Sequence, residues 1–246
     1  RILIVGKGAD VVPALEKLKI PILFFDKYGN PVEKPVFKKE VPKGMTAKIV
    51  LDNYIKAIGG EKAVKAVKSI SSVGTTKIPQ APMPLSYVSK IDNKGKMLVE
   101  LSMAGMGSLM KQVVNGNTGY MAQQGQKMNL EGEMLEDMKA SAHPFPEVNL
   151  LKKEGITLKG IESQDGKECY AIVNGKTTSY YDVASGLKVA DVTATPQGNS
   201  VITYKDYRDV KGVKIPYNYV MNVGFDLEIK ISDIKVNEGV SEADFQ

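Results

Sequence analysis

From residue 69 to residue 236, apolar and polar side chains mostly alternate with a period of two, as in strands with one buried face. The alternation predicts strands at 69–78, 85–92, 96–103, 109–115 and 118–123, then at 156–163, 168–174, 176–182, 187–194, 199–206, 214–222 and 226–236. Turn signals separate them: Asp92-Asn93-Lys94-Gly95, Asn115-Gly116-Asn117, Asp165-Gly166, Asn174-Gly175, Ser185-Gly186, Gln197-Gly198, Lys211-Gly212 and Gly224. Connections this short join antiparallel neighbours, because a parallel crossover needs about a dozen residues or more. The expected fold is α+β: a large antiparallel sheet, a long meander, with helices covering its apolar face.

Three helices supply that cover. Thr46 can cap one whose apolar stripe is Ile49, Val50, Tyr54, Ala57 and Ile58, and Gly59-Gly60 ends it. A short second helix runs from Glu61 to Val67. The third interrupts the meander at 131–142, with Met134, Leu135, Met138 and Ala142 on one face, and His143-Pro144-Phe145-Pro146 stops it.

The first residues read strand, helix, strand. Ile2 to Val5 is an apolar run, Asp10 can cap a helix with Val11, Leu15 and Leu18 at helical spacing, and Ile20-Pro21 breaks it before a second apolar run at 22–25. Tyr28-Gly29-Asn30-Pro31 closes that run as a turn. Prolines and charges at 33–46, among them Pro35, Lys38 and Pro42, mark a linker. The expected organisation is a segment 1–37, a linker 38–46 and a domain 47–246. The two N-terminal strands have apolar faces that need cover, so residues 1–37 are expected to dock on the larger domain or to self-associate with another copy.

Composition is that of an ordinary globular protein, 43% hydrophobic and 25% charged, with no run long enough for a membrane-spanning helix. The net charge of +5 comes from 33 basic and 28 acidic side chains that are largely interleaved. There is no Trp, and Arg occurs only at Arg1 and Arg208, so the basic face with aromatic stacking groups of a nucleic-acid binder is not expected. The chain opens inside an apolar run, as a processed or excised fragment would.

Chemistry is sparse. Cys169 is the single cysteine, so no intramolecular disulfide forms, and its place in a strand-like run reads as a structural thiol. His143 is the single histidine, so a catalytic His-Glu-x-x-His zinc pair cannot be written; it is the only histidine base a serine nucleophile could use, and no Gly-x-Ser-x-Gly elbow occurs; at a helix end it can complement the helix dipole. Gly6-x-Gly8 followed by Asp26 imitates a dinucleotide fingerprint, but Val11 stands where the third glycine belongs and no further βα unit follows. No cofactor is expected. The paired carboxylates Glu131/Glu133 and Glu136/Asp137 read as a solvated helix face.

Methionine changes this picture. Eight of the eleven lie between 97 and 138. Met97, Val99, Leu101 and Met103 share one strand face, Met106, Met110, Met121 and Met128 follow, and Met134 and Met138 lie on the helix. A flexible, polarizable lining of this kind suits either a methionine-rich core or a cavity for an acyl chain or apolar peptide. The candidate ligand-binding residues are Met97, Val99, Leu101, Met103, Met121, Met134 and Met138.

Several blocks resemble known families. Asp52-Asn53-Tyr54-Ile55-Lys56-Ala57-Ile58-Gly59-Gly60 resembles the opening helix of outer-membrane lipoprotein carrier-like (LolA/LolB-like) domains, and Gly119 to Gly125 resembles their central hairpin. Ser179-Tyr180-Tyr181-Asp182-Val183-Ala184-Ser185-Gly186-Leu187 is similar to a further hairpin of theirs, as is Tyr204-Lys205-Asp206-Tyr207 with Gly212-Val213-Lys214-Ile215-Pro216. Residues 1–37 resemble the last strand-helix-strand of the non-catalytic domain of insulinase/pitrilysin-like zinc peptidases, family M16. The resemblances imply an antiparallel half-barrel with helices in its concavity and a periplasmic or outer-membrane-associated location in a Gram-negative bacterium. They also imply a role as the non-catalytic accessory domain of an envelope zinc peptidase, with the zinc in other domains of the parent chain. A lipid or lipoprotein carrier, or a structural spacer, are the alternatives. The partner expected is an apolar ligand or the peptidase domains, not nucleic acid.

Overall fold

A computed structural model describes residues 2–6, 8–34, 39–78, 83–123, 125–196, 198–222 and 226–246, with the side chains of residues 9 and 10 left aside. The turn residues Gln197 and Gly224, Gln124 of the central hairpin, Pro35 and Lys38 of the linker and the Asp10 side chain lie outside that description.

The meander is present as one sheet of thirteen strands: β3 (Ser69–Thr76), β4 (Leu85–Asp92), β5 (Lys96–Met103), β6 (Gly107–Asn115), β7 (Thr118–Gln123), β8 (Gln126–Asn129), β9 (Thr157–Gln164), β10 (Lys167–Asn174), β11 (Thr177–Asp182), β12 (Lys188–Thr195), β13 (Gly198–Val210), β14 (Val213–Asn222) and β15 (Asp226–Val236). Their spatial order is β8-β7-β6-β5-β4-β3-β15-β14-β13-β12-β11-β10-β9, antiparallel at every step. Chain neighbours are thus sheet neighbours except β8 and β9, which form the two edges, and β15 returns to pair with β3, Ile229 facing Thr76 and Val236 facing Ile70. Two strand expectations needed revision. β13 continues to Val210, and β8 was not expected, because all four of its residues are exposed and carry no alternation.

Helices α2 (Ala47–Ala57), α3 (Glu61–Ala66), α4 (Gly132–Ser141) and α5 (Glu147–Leu150) complete the domain. The Thr46 side chain accepts a hydrogen bond from the Ile49 N–H, as expected of an N-cap. Val50, Leu51, Tyr54, Ile55 and Ile58 of this first layer meet Ile70, Ile172, Tyr181, Val213, Ile215, Ile234 and Val236 of the sheet in the main core. Gly59 allows the close approach. An added Cβ there would fall 2.2 Å from the Gly212 carbonyl, and the Lys214 N–H donates to the Ile58 carbonyl at 2.8 Å.

Helix α4 reveals the curvature. Its Leu135 and Met138 pack with Met97, Val114, Leu130 and Ala142, near β6, while Glu133 and Asp137 pair with Lys176 in the β10–β11 turn at 3.0 and 2.9 Å. Those strands are eight places apart in the sheet, about 38 Å along a flat one. A ten-residue helix is about 15 Å long. The sheet must therefore curl so that its two ends converge on α4, a half-barrel whose edge strands β8 and β9 are not paired to each other among the described residues.

The N-terminal segment differs from expectation. Helix α1 (Gly8–Glu16) forms, but residues 2–5 form no strand, and the second run pairs only as a hairpin, β1 (Phe24–Phe25) with β2 (Pro31–Val32). An extended run with no neighbour has no partners for its backbone groups, and none is placed beside it among the described residues. Ile2, Leu3, Val5 and Leu23 are each more than three-quarters exposed, so the larger domain does not cover them. The linker, by contrast, is not free. Lys39 bridges Ile161 on edge strand β9 and its ammonium sits 2.8 Å from Glu168, while Val41 and Met45 pack against the core.

Candidate functional site: an apolar trough open at one rim

The two rims of the half-barrel differ. Helices α2 and α3 and the β13–β14 turn cluster at the rim where β14 begins, and α4 sits over Met97, Ile91 and Val114 at the same ends of β4, β5 and β6. The other rim is where β3, β5 and β14 end. There the helix-covered face of the sheet continues as half-buried apolar side chains. Tyr87, Leu101 and Met110 stand opposite one another on β4, β5 and β6, and Ile202 stands opposite Met221 on β13 and β14. Leu101, Met110 and Ile202 belong to none of the core clusters. They are half-buried apolar positions of the concave face, an apolar trough between the helices and Leu85, Met103 and Leu227, which are buried nearer the rim.

Of the residues singled out from sequence, Val99, Leu101 and Met121 lie half-buried on this face, and Met138 reaches it from α4. Met97 and Met103 are on the same face but 6% and 8% exposed, closed in by packing. Met134 is 48% exposed, because Leu135, Met138 and Ala142 carry the buried stripe of the helix and Met134 falls outside it. Gly119 opposite Val114 lets α4 settle. An added Cβ would lie 3.0 Å from Leu130 Cδ1 and 3.2 Å from Leu135 Cδ1.

Beside Ile202 the trough wall becomes polar. Lys188 on β12 is held between Glu147 of α5 at 2.7 Å and Asp191 at 2.9 Å. Tyr204 and Ser179 donate to Asp191 at 2.6 and 2.5 Å, Tyr181 donates to Glu147 at 3.2 Å, and Tyr207 donates to the Lys188 carbonyl at 3.0 Å. Glu147 is 1% exposed. Burial alone would depress the Lys188 ammonium, but Asp191 and Glu147 outweigh it and hold its pKa well above the usual value. Burial would likewise raise Asp191, yet Lys188, Ser179 and Tyr204 hold it below the carboxylate range. No sequence motif announced this cluster, whose members are up to 60 residues apart (147 to 207). The only hint was charge at inward-facing positions of β12.

The remaining sequence candidates are structural. Burial pushes the Cys169 thiol up to about 12, so it is protonated and unreactive at neutral pH. His143 Nδ1 accepts from the Phe145 N–H at 3.0 Å, and burial lowers its pKa, so it is neutral and does not complement the helix dipole as a cation. Asp26, the mimic of a ribose-binding acid, instead closes the β1–β2 turn by accepting from the Tyr28 and Asn30 N–H groups. Among the described residues no group of three or more potential ligands is placed to hold a metal ion. A shallow notch of about 390 Å³ lies between α2 and the β11–β12 turn, lined by Asn53, Lys56, Tyr170 and Asp182. Its carboxylate is already engaged by the Ala184 N–H and the Ser185 hydroxyl.

No family model matches the chain, and no curated protein matches it in sequence. Solved structures do match. A LolA superfamily protein from Nitrosomonas europaea superposes with a TM-score of 0.54 at 11% identity over 82% of this chain and 98% of its own. A DUF1329 family protein from Desulfovibrio piger gives 0.56 at 12% identity over 81% and 96%. A domain described as an outer membrane lipoprotein-sorting protein from Vibrio parahaemolyticus gives 0.52 at 13% identity over 80% and 95%. The chain thus has a LolA-like fold.

Proposed function

We propose that this chain is a non-enzymatic binding module of the bacterial envelope that holds the apolar portion of a lipid or lipoprotein in the open trough. The observation that carries the reading is the row Tyr87, Leu101 and Met110 facing Ile202 and Met221, left half-buried where a soluble domain with no ligand would close its core. The fold it shares with a lipoprotein-sorting domain and a LolA superfamily protein supports both the ligand class and a periplasmic or outer-membrane-associated setting. Lys188, the cation described on this wall of the trough, is already neutralised by two carboxylates. The ligand is therefore recognised by its chain. Attachment to a zinc peptidase as an accessory domain finds no support in these fold neighbours.

The test is uptake of a fluorescent fatty acid, with native mass spectrometry of protein recovered from a Gram-negative envelope. Wild type is expected to bind stoichiometrically, and Leu101→Glu to bind at least tenfold more weakly while unfolding at a similar temperature. An apo mass with no uptake refutes the reading.

A further inference from the structure

The concave face of β3–β6 is laid out in rungs of cross-strand neighbours. The rung under the helices is Ile70, Ile91, Met97 and Val114. A rung nearer the rim is Gly74, Tyr87, Leu101 and Met110. The rung between these two is not apolar. It runs Ser72, Ser89, Val99 and Gln112, and ends at Met121 on β7. Ser72 and Ser89 are 6% and 7% exposed, and Gln112 is half-buried. The Ser89 hydroxyl is engaged by that of Tyr87. The Ser72 hydroxyl and the Gln112 side-chain amide have no hydrogen-bond partner among the described residues. They are not sealed in either: among the described residues, Asn218 Oδ1 is the only fully covered side-chain polar atom left without a partner. The two groups therefore border the open trough.

We propose that Ser72 and Gln112 donate hydrogen bonds to acyl carbonyl oxygens, ester or amide, of a lipid whose chains lie along Leu101 and Met110. A polar group held away from water without a partner is costly, and packing alone would be better served by apolar residues at both positions. Polar groups set sparsely into an apolar lining are what orients and selects a ligand. Both donors are uncharged, which suits a neutral acceptor. They stand three strands apart, about 14 Å on a flat sheet and less on a curled one, so each serves its own carbonyl. The inference rests on the trough reading above and adds a selection to it. Burial of the chain supplies affinity, and the rung distinguishes an acyl chain from an alkyl chain of equal length, because a bound ether leaves both donors unpaired.

The test is displacement of a bound fluorescent fatty acid by dioctanoylglycerol, by its dioctyl ether and by the corresponding diamide. Wild type is expected to bind the ester or the amide at least tenfold more tightly than the ether, and the tighter of the two names the linkage. Ser72→Ala/Gln112→Met is expected to lose that preference, to bind the ether at least as well as wild type, and to unfold at the same temperature or higher. Leu101→Glu is expected to weaken all three ligands alike. Equal displacement by ester, amide and ether in wild type overturns the proposal, as does a preference that survives in the double variant. A marked fall in the double variant's unfolding temperature assigns the two side chains to the fold and overturns it too. Fatty-acid uptake that persists through any of these results leaves the trough reading standing, whereas no uptake at all removes both.

Discussion

Lys188→Met tests the physical reading of the buried cluster. The substitution keeps the side chain's length and removes its charge, leaving Glu147 and Asp191 facing one another without a cation. Removing one member of a buried pair costs about 3–5 kcal/mol, chiefly because the remaining charge is desolvated and unpaired. For a domain of this size that lowers Tm by about 6–20 °C, at about 2–4 °C per kcal/mol. The pH dependence gives the sharper check. In the native protein Asp191 is held below its unfolded pKa, so its stabilisation is present above that pKa and lost as pH falls through the folded value. Lys188 is held above its unfolded pKa, so its contribution is present below that pKa and lost as pH rises through the folded value. Without Lys188, Asp191 loses the charge that holds its pKa down while its burial remains, and protonation relieves it. The variant's deficit should then be large at pH 7 and shrink near pH 4.5. Glu147→Gln/Lys188→Met/Asp191→Asn should recover most of the loss at pH 7. Thermal unfolding followed by circular dichroism reads all of this. A Tm within 2 °C of wild type, or an equal deficit at both pH values, refutes the argument.

Gly119→Ala should loosen β7 and α4 by about 1–3 kcal/mol, since the added methyl meets the Val113 carbonyl at 2.8 Å as well as Leu130 and Leu135, and hydrogen exchange across 132–141 should accelerate while β9–β12 is unchanged. Lys176→Ala should leave Tm almost unchanged, because its pairs with Glu133 and Asp137 are solvent-exposed, and any difference should vanish in high salt. Cys169 should resist maleimide at pH 8 in the folded protein and react at once in urea; rapid labelling of the native state would contradict its burial and raised pKa.

Much of the sheet was legible because its alternation is strong wherever one face is buried. The expected 85–92, 96–103, 118–123 and 226–236 coincide with β4, β5, β7 and β15. β8 escaped because a four-residue edge strand with both faces wet has no period to read. Residues 2–5 misled for the opposite reason. Their apolar, β-branched character describes what a strand requires of its surroundings, and those surroundings are missing, so propensity alone yields an exposed run. The candidate site divided in the same way. The face shared by Val99 and Leu101 follows from strand parity, but the exposure of Met134 depends on which stripe of α4 the sheet accepts, and that is fixed by Gly119 and Leu130. The Glu147–Lys188–Asp191 cluster is a product of curling: α5 comes to lie over β12 only in the closed-up sheet.

Curling also explains why the trough exists. Adjacent strands rotate by about 20–25°, so over the eight steps from β6 to β11 the strand direction turns through roughly half a circle. That rotation is what lets one short helix touch the β6–β7 turn through Lys139 and Asn117 and the β10–β11 turn through Lys176, although these turns lie at opposite ends of their strands. Helices α2 and α3 thereby gather at one rim, and α4 crosses from that rim to the β10–β11 turn. No described helix remains for the other half of the concavity, where the sequence places Met, Leu, Ile and Tyr on the inner face. An apolar trough follows from the ordering of elements along the chain: every long helical insertion comes from the rim at which β8 ends and β3 begins.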